Sequence, residues 1–213
     1  MRSNRREPDA PSREEQTRSE IIVATKRLVQ KYGIRKVTME DIASALGKKK
    51  SFLYYYYPSK REVLDAMVET ELATLTQSLR VAVAQQQGAA RKITTYITGR
   101  VRGVADIIPT FGSLVIPELL AGGDIGTDLA SILGRRRAFD REEERFLSSL
   151  ILLGIKEGAF RSLSPEVISD TTHFLLTALR GLELELIISR DVSAIPIRSL
   201  SSVLAAFMRG LAA

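Results

Sequence analysis

Apolar residues recur at helical spacing along almost the whole chain, and the two-residue alternation of a strand is nearly missing. Ile21, Thr25, Leu28 and Tyr32 share one helical face, with Ile22 and Val29 beside them, and Gly33 supplies a stop. Thr17-Arg18-Ser19-Glu20 sets a hydroxyl three residues before an acid. In that pattern the hydroxyl accepts a bond from an orphan backbone N–H, and the acid answers the cap and the helix dipole. The spacing predicts a helix over about 17–32. Thr38-Met39-Glu40-Asp41 opens a second over about 38–46, stopped at Gly47, and a third covers about 49–57 and is cut by Pro58. After Ser59-Lys60-Arg61-Glu62 a long fourth helix continues through Val63, Leu64, Met67, Val68, Leu72, Leu75 and Leu79 to the polar Gln85-Gln86-Gln87-Gly88.

The remainder reads as helices over about 89–108, 110–122, 126–157, 165–190 and 196–211. Ser164-Pro165-Glu166 is a strong start signal, with a hydroxyl cap and a proline in the first turn, where no N–H is needed. The last two segments are strongly apolar, with small residues such as Ala178, Gly181, Ala205 and Ala206 that allow close helix approach. With about nine helices and no internal repeat, the expected fold is all-α. Its expected divisions are a flexible basic arm over 1–16, a three-helix helix-turn-helix domain over 17–62, and a helical effector-binding and dimerisation domain over 63–213.

The stretch richest in chemistry is Thr38–Lys60. Ala43 lies four residues before Gly47, and Leu53 follows six after it. Ile42, Leu46, Leu53 and Tyr56 fall where a helix-turn-helix needs core residues. A small residue at 43 lets two helices cross closely, Gly47 permits a positive φ in the tight turn, and the second helix keeps an outer face for the major groove. On that face Lys48, Lys49 and Lys50 offer cations to phosphates and guanine edges, and Ser51 offers a short hydroxyl. Four of the chain's six tyrosines run from Tyr54 to Tyr57, and Lys60 opens the next helix. A lysine triplet alone is usually a solvated face, and a tyrosine cluster alone is usually half-buried core. The combination, with the Ala–Gly–Leu spacing, points to DNA.

Charge sharpens that picture. The 213-residue chain carries a net +6, and residues 1–65 hold 15 Lys/Arg against 9 Asp/Glu, so the whole excess lies at one end. Such a footprint suits a polyanion partner. Hydrophobic residues at 45% supply a real core. Cysteine is absent, which removes disulfides, thiolate metal sites and a cysteine nucleophile, and suits a cytoplasmic protein. No run of eighteen apolar residues offers a membrane span, and the charged N-terminus lacks the apolar stretch of a secretory signal.

On these residues the chain resembles the TetR family of transcriptional regulators, over about Arg18 to Leu64. Ile21/Ile22, Ala24, Tyr32-Gly33, Thr38, Asp41-Ile42-Ala43, Gly47, Leu53-Tyr54, Tyr56-Tyr57 and Ser59-Lys60 carry the resemblance. It implies that Thr38, Lys50, Ser51, Tyr54, Tyr55 and Lys60 contact DNA while Tyr56 and Tyr57 partly pack. It also implies an all-α C-terminal domain that binds a small effector and dimerises. The chain departs from the family's usual Val-Ser-Lys-Gly-Thr after the turn glycine, having Lys48-Lys49-Lys50-Ser51-Phe52. Lys48 replaces a small core plug, so its stem must snorkel or the turn must shift. Lys49 replaces an N-cap. Phe52 either packs on a thymine methyl or fills the space of the missing valine.

The C-terminal half offers little catalytic chemistry. It has one histidine, His173, no phosphate-loop motif, and Gly122-Gly123-Asp124 without strand context. Asp170 and His173 are half a metal site at most. Arg141 to Arg145, with three glutamates between, reads as a solvated face. Scattered polar groups in apolar helices, together with aromatic residues, give candidate ligand contacts at Tyr96, Arg100, Phe111, Phe146 and His173. Arg102 and Glu118 belong to the same scattered polar set, and each of these residues taken singly more often faces solvent or packs in the core. Gly99 and Gly103 mark close packing or a bend. Phe174, Ala178, Gly181, Leu182, Leu200, Leu204 and Phe207 are candidate dimer contacts, two helices from each chain forming a four-helix bundle.

The expected function is a homodimeric repressor on a palindromic operator with half-sites about 34 Å apart, released by a small-molecule effector, with no cofactor, metal or membrane partner. The alternative is a sequence-tolerant DNA-binding structural protein without an effector.

Overall fold

The computed structural model of the chain describes residues 12–34, 36–120, 128–189 and 197–212, with side chains outside 108–140, 184, 187, 188, 197 and 198. The chain forms two compact units that divide inside one helix, between Leu72 and Ala73. The helices are α1 (Arg13–Tyr32), α2 (Met39–Ala45), α3 (Lys50–Tyr56), α4 (Lys60–Ala84), α5 (Ala89–Leu120), α6 (Asp128–Lys156), α7 (Pro165–Ser189) and α8 (Ile197–Leu211). Among the described residues there is no strand, only an isolated antiparallel bridge between Phe160 and Ala212. The all-α expectation holds.

Helix α1 begins four residues before the expected Thr17. The Ser12 hydroxyl accepts from the Glu15 N–H at 3.2 Å, and the Ser12 N–H donates to the Glu15 carboxylate at 2.7 Å. Two capping patterns compete, and the earlier one wins because each residue added to an existing helix brings a hydrogen bond. Thr17 then lies inside the helix, its hydroxyl donating to the Arg13 carbonyl. Residues 13–16 therefore belong to α1 and not to an arm, while residues 1–11 lie outside the described residues. The face that α1 buries centres on Ile21, Thr25 and Val29, and Tyr32 is exposed. The rest of this core comes from Ile34, Val37, Met39, Ile42, Ala43, Leu53, Tyr57, Val63, Leu64 and Met67.

In the second unit α5 packs against α6, α7 and α8, and α6 packs against α7. Their shared core includes Leu79, Ile93, Ile97, Val101, Leu147, Ile151, Leu176, Leu179 and Leu204. The break expected before Pro109 does not occur: α5 is one helix, which makes eight helices among the described residues. A proline removes one hydrogen bond and kinks a helix, but packing on either side can hold the turns together, and Val101, Val104 and Ala105 are buried just before it.

Glycines in this unit mark close approach. A Cβ on Gly99 would lie 2.6 Å from Leu79, and one on Gly103 would lie 2.1 Å from Leu75, so α4 seats its leucines directly on the α5 backbone. After α6, the N–H groups of Ala159 and Phe160 both donate to the Gly154 carbonyl, and the buried Phe160 ring fills the space a side chain at 154 would need.

Candidate nucleic-acid interface

Helices α2 and α3 are each only two turns long, so their ends decide their stability. At α2 the Thr38 hydroxyl accepts from the Asp41 N–H at 3.2 Å, and Asp41 accepts from the Thr38 N–H at 2.9 Å. The bonds from Thr38 hold the Asp41 carboxyl below the usual carboxylate range. Thr38 is exposed but committed to this cap. Gly47 makes the turn with φ +66°, a conformation strained for any side chain, and the Lys48 N–H closes it on the Ala43 carbonyl at 2.9 Å. Helix α3 starts at Lys49 with no side-chain cap, as a lysine in place of a hydroxyl residue requires.

Leu53 and Tyr57 anchor α3 in the core. Leu46 and Tyr56, expected to be core residues, are only half-buried, and Tyr57 takes the inner position. Phe52 stands between the two expected places, partly packed and partly open. Half-buried, it packs against Tyr56 with ring centroids 5.1 Å apart, while the exposed Lys48 holds its ammonium 5.3 Å from the Phe52 ring centroid. One turn on, Lys50 lies 5.5 Å from the Tyr54 ring and forms an ion pair with Glu40 of α2. That pairing holds Glu40 below and Lys50 above their ordinary titration ranges. The outward face of α3 and its turn thus presents Lys48, Lys49, Lys50, Ser51, Tyr54 and Tyr55, with Tyr55 77% exposed. Lys60 is half-buried and donates to the Ile34 carbonyl at 2.7 Å, tying α4 to the turn after α1.

Two residues not singled out in the sequence hold this face in place. Glu40 steers Lys50, and its only sequence signal is an acid in the first turn of α2. Arg18 of α1 donates to the Tyr56 carbonyl at 2.8 Å and lies 5.1 Å from the Tyr57 ring centroid. A cation there satisfies the C-terminal end of α3 and suits the negative end of its dipole.

The candidate ligand residues separate. Tyr96 and Arg100 are each 2% exposed, one turn apart on α5. Tyr96 donates to Glu143 Oε1 at 2.5 Å, Arg100 Nε donates to the same oxygen at 2.7 Å, and Arg100 pairs with Glu183 at 2.6 Å. Glu143 therefore faces inward, although it lies within the Arg141–Arg145 stretch that reads as a solvated face. It comes four residues before Leu147 and so joins the buried side of α6. Burial and the neighbouring Glu143 carboxylate push the Tyr96 phenol well above its ordinary range, so it stays a donor. Burial works against the Arg100 charge, but Glu183 and Glu143 outweigh it. Phe146 is half-buried beside Tyr96, ring centroids 5.1 Å apart. His173 is exposed on α7, off the buried face set by Leu175, Leu176 and Leu179, and so does not join this cluster. Arg102 is also exposed. The Phe111 and Glu118 side chains lie outside the described residues. Among the described residues no group of three or more metal-ligating side chains comes together.

Of the candidate dimer residues, Phe174, Ala178 and Gly181 form an exposed stripe along α7, with Leu182, Leu200 and Phe207 half-buried and Leu204 buried. Phe174 is 63% exposed and stacks on Phe207, and Val203 of α8 is 62% exposed. No helix among the described residues is long and apolar enough to cross a membrane.

Two short helices about a glycine turn, the first held by a capping box, with a cationic and aromatic outer face on the second, define a helix-turn-helix DNA-binding unit in an all-α chain. Residues 21–67 match the family model described as bacterial regulatory proteins, tetR family. An uncharacterised helix-turn-helix transcriptional regulator of Bacillus subtilis, YvaF, is 42% identical over 57 residues, covering 27% of this chain and 30% of that protein. The nucleoid occlusion factor SlmA of Pasteurella multocida is 24% identical over 154 residues, covering 71% and 73%. The crystal structure of a transcriptional regulator from Cytophaga hutchinsonii aligns with TM-score 0.73 at 19% identity, covering 92% of this chain and 98% of that one. Residues 21–67 thus form a DNA-binding domain of the kind found in bacterial regulatory proteins of the tetR family, and the whole chain shares the fold of a solved transcriptional regulator.

Proposed function

We propose that the chain works as a homodimeric repressor that reads a palindromic operator with α3 and is released when a small molecule binds in the second unit. The observation that carries this reading is the outer face of α3: exposed Lys48, Lys49, Lys50, Tyr54 and Tyr55 backed by a core of Leu53 and Tyr57. Lysines neutralise phosphates and account for affinity, while Ser51, Tyr54 and Tyr55 reach base edges or backbone oxygens and set register. Lys50 must exchange Glu40 for the DNA, and the pair is exposed enough for that exchange to cost little. One helix-turn-helix reads too few base pairs for a unique site, so two heads on a twofold axis are needed. The exposed apolar stripe from Phe174 to Gly181 on α7, together with the exposed Val203 on α8, supports the self-complementary contact such a dimer requires.

Release follows from linkage. The effector binds the DNA-incompetent arrangement better, and DNA weakens the effector by the same factor. Helix α4 begins at Lys60 in the first unit and ends in the second, which supports it as the element both ligands act on.

The test is fluorescence-anisotropy titration of a duplex from the protein's own upstream region beside a scrambled duplex across a salt series. The repressor reading expects a preference of about a thousandfold or more. Equal, steeply salt-dependent affinity for both duplexes favours a second reading, a DNA-binding structural protein without an effector. The similarity to a protein named as a nucleoid occlusion factor supports keeping that reading in view.

A further inference from the structure

In the second unit the Arg80 side chain lines a small cavity. Arg80 of α4 forms an ion pair with Glu142 of α6, and its guanidinium carbon lies 5.8 Å from the Phe146 ring centroid, within cation–π range. Beneath it is a small cavity lined by Thr76, Arg80, Tyr96, Glu142, Glu143 and Phe146. Tyr96 and Phe146, tilted at 56°, form an aromatic corner. The buried Glu143 carboxylate accepts Tyr96 and Arg100 on the same oxygen, Oε1, which leaves Oε2 for a further donor. The cavity volume is about 10 Å³, room for a water molecule at most. Anything larger enters only by displacing Arg80, whose side chain is 43% exposed and can swing out.

We infer that the effector is a small organic cation, an amidinium, guanidinium or quaternary ammonium, that displaces Arg80 and takes its place between Glu142, Glu143 and the Tyr96–Phe146 corner. Removing Arg80 leaves the Glu142 carboxylate and an aromatic face without their cation, and the spare oxygen of Glu143 stands beside them. An anion would add charge of the same sign to two carboxylates, and a neutral apolar group would desolvate them without compensation. A cation restores every interaction that Arg80 gives up and adds a donor to Glu143. Arg80 is thus a built-in competitor, and its ion pair is also a tether from α4 to α6. Displacement cuts that tether on the helix that begins at Lys60, so the inference rests on the release mechanism proposed above.

Calorimetric titration of the full chain with benzamidinium, beside its charge-reversed isostere benzoate, tests this without DNA. Benzamidinium is expected to bind and benzoate not to. Arg80→Gln removes the competitor and is expected to tighten benzamidinium about tenfold, because less of the protein is held in the closed form. In the Arg80→Gln background, where no internal cation loses the same partner, Glu142→Gln removes an anchor and is expected to weaken benzamidinium about tenfold. Both positions are exposed, so neither substitution threatens the fold. The inference is overturned if benzamidinium fails to bind both the wild type and Arg80→Gln, if Arg80→Gln leaves its affinity unchanged, or if benzoate binds equally well. Operator anisotropy in the same preparations separates the two readings. Cation binding without any operator preference sinks the repressor and leaves the site standing, whereas operator preference without cation binding sinks the site alone.

Discussion

Charge is handled in opposite ways in the two units. In the first, Lys48, Lys49, Lys50 and Glu40 all lie at the surface, and the Lys50–Glu40 pair is open to water and to exchange. In the second, Arg100, Glu143 and Glu183 sit inside the helical core with Tyr96. An exposed pair contributes little to stability and is easily traded for a phosphate. A buried cluster is costly to assemble and far costlier to break, because removing one member strands the others away from solvent. The difference separates a surface made to change partners from an interior made to keep them.

The sharpest way to break this comparison is to take Arg100 away. Arg100→Met fills similar volume but leaves Glu143 and Glu183 buried without their guanidinium. Denaturant unfolding of the second unit is expected to show a loss of about 3–5 kcal/mol. A loss well below that range would mean that Arg100 acts through packing and not through charge.

Gly154→Ala ranks next. Its Cβ would lie 2.1 Å from one carbon of the buried Phe160 ring and 2.3 Å from another, so ring or backbone must move. Overpacking of this kind costs about 1–3 kcal/mol. The loss should appear in the second unit's unfolding transition and leave DNA affinity of the folded protein unchanged.

The exposed unit should respond the other way, in affinity more than stability. Lys50→Ala is expected to change unfolding free energy by less than about 1 kcal/mol, since the pair it breaks is exposed. The same change should reduce the slope of log affinity against log salt by about 0.9, the signature of one lost phosphate contact. Glu40→Gln, which frees Lys50 and removes a negative charge from the DNA-facing side, should strengthen binding. If Lys50→Ala leaves the salt slope intact, Lys50 belongs to Glu40 and not to DNA.

The contrast also explains what could be read from the sequence. Thr38 and Asp41, three residues apart, announce α2 because a capping box is a local device, and Gly47 announces its turn for the same reason. Gly99 and Gly103 left packing and bending open, and the structure decides for packing because Leu75 and Leu79 of α4 come within reach. Glu143 was hidden. Its neighbours Arg141, Glu142, Glu144 and Arg145 read as a solvated face, and its burial depends on Arg100, 43 residues away, which no local pattern reveals. The continuity of α5 through Pro109 was hidden likewise, because a proline's local meaning is a stop and only packing overrides it. Tyr57 instead of Tyr56 in the core is an error of helical phase: α3 is anchored at Leu53, and the chain leaves the helix at 57 with its ring turned inward.

Lys49 lets the two roles of this surface be separated at a single position. It is the N-cap of α3, and its side chain makes no capping bond. Lys49→Ser supplies a hydroxyl that can accept from the second or third N–H of the helix, an improvement of up to about 1 kcal/mol. The same change deletes a cation from the start of the recognition helix. Thermal unfolding of the first unit should therefore move upward while DNA affinity at low salt falls and the salt slope becomes shallower. Had evolution favoured stability at this position, a serine would satisfy it at no cost in size. The exposed lysine instead places a positive charge at the start of α3. If Lys49→Ser raises stability and leaves DNA binding untouched, the charge has no such partner, and the contact surface of α3 contracts to Lys48, Lys50 and the two exposed tyrosines.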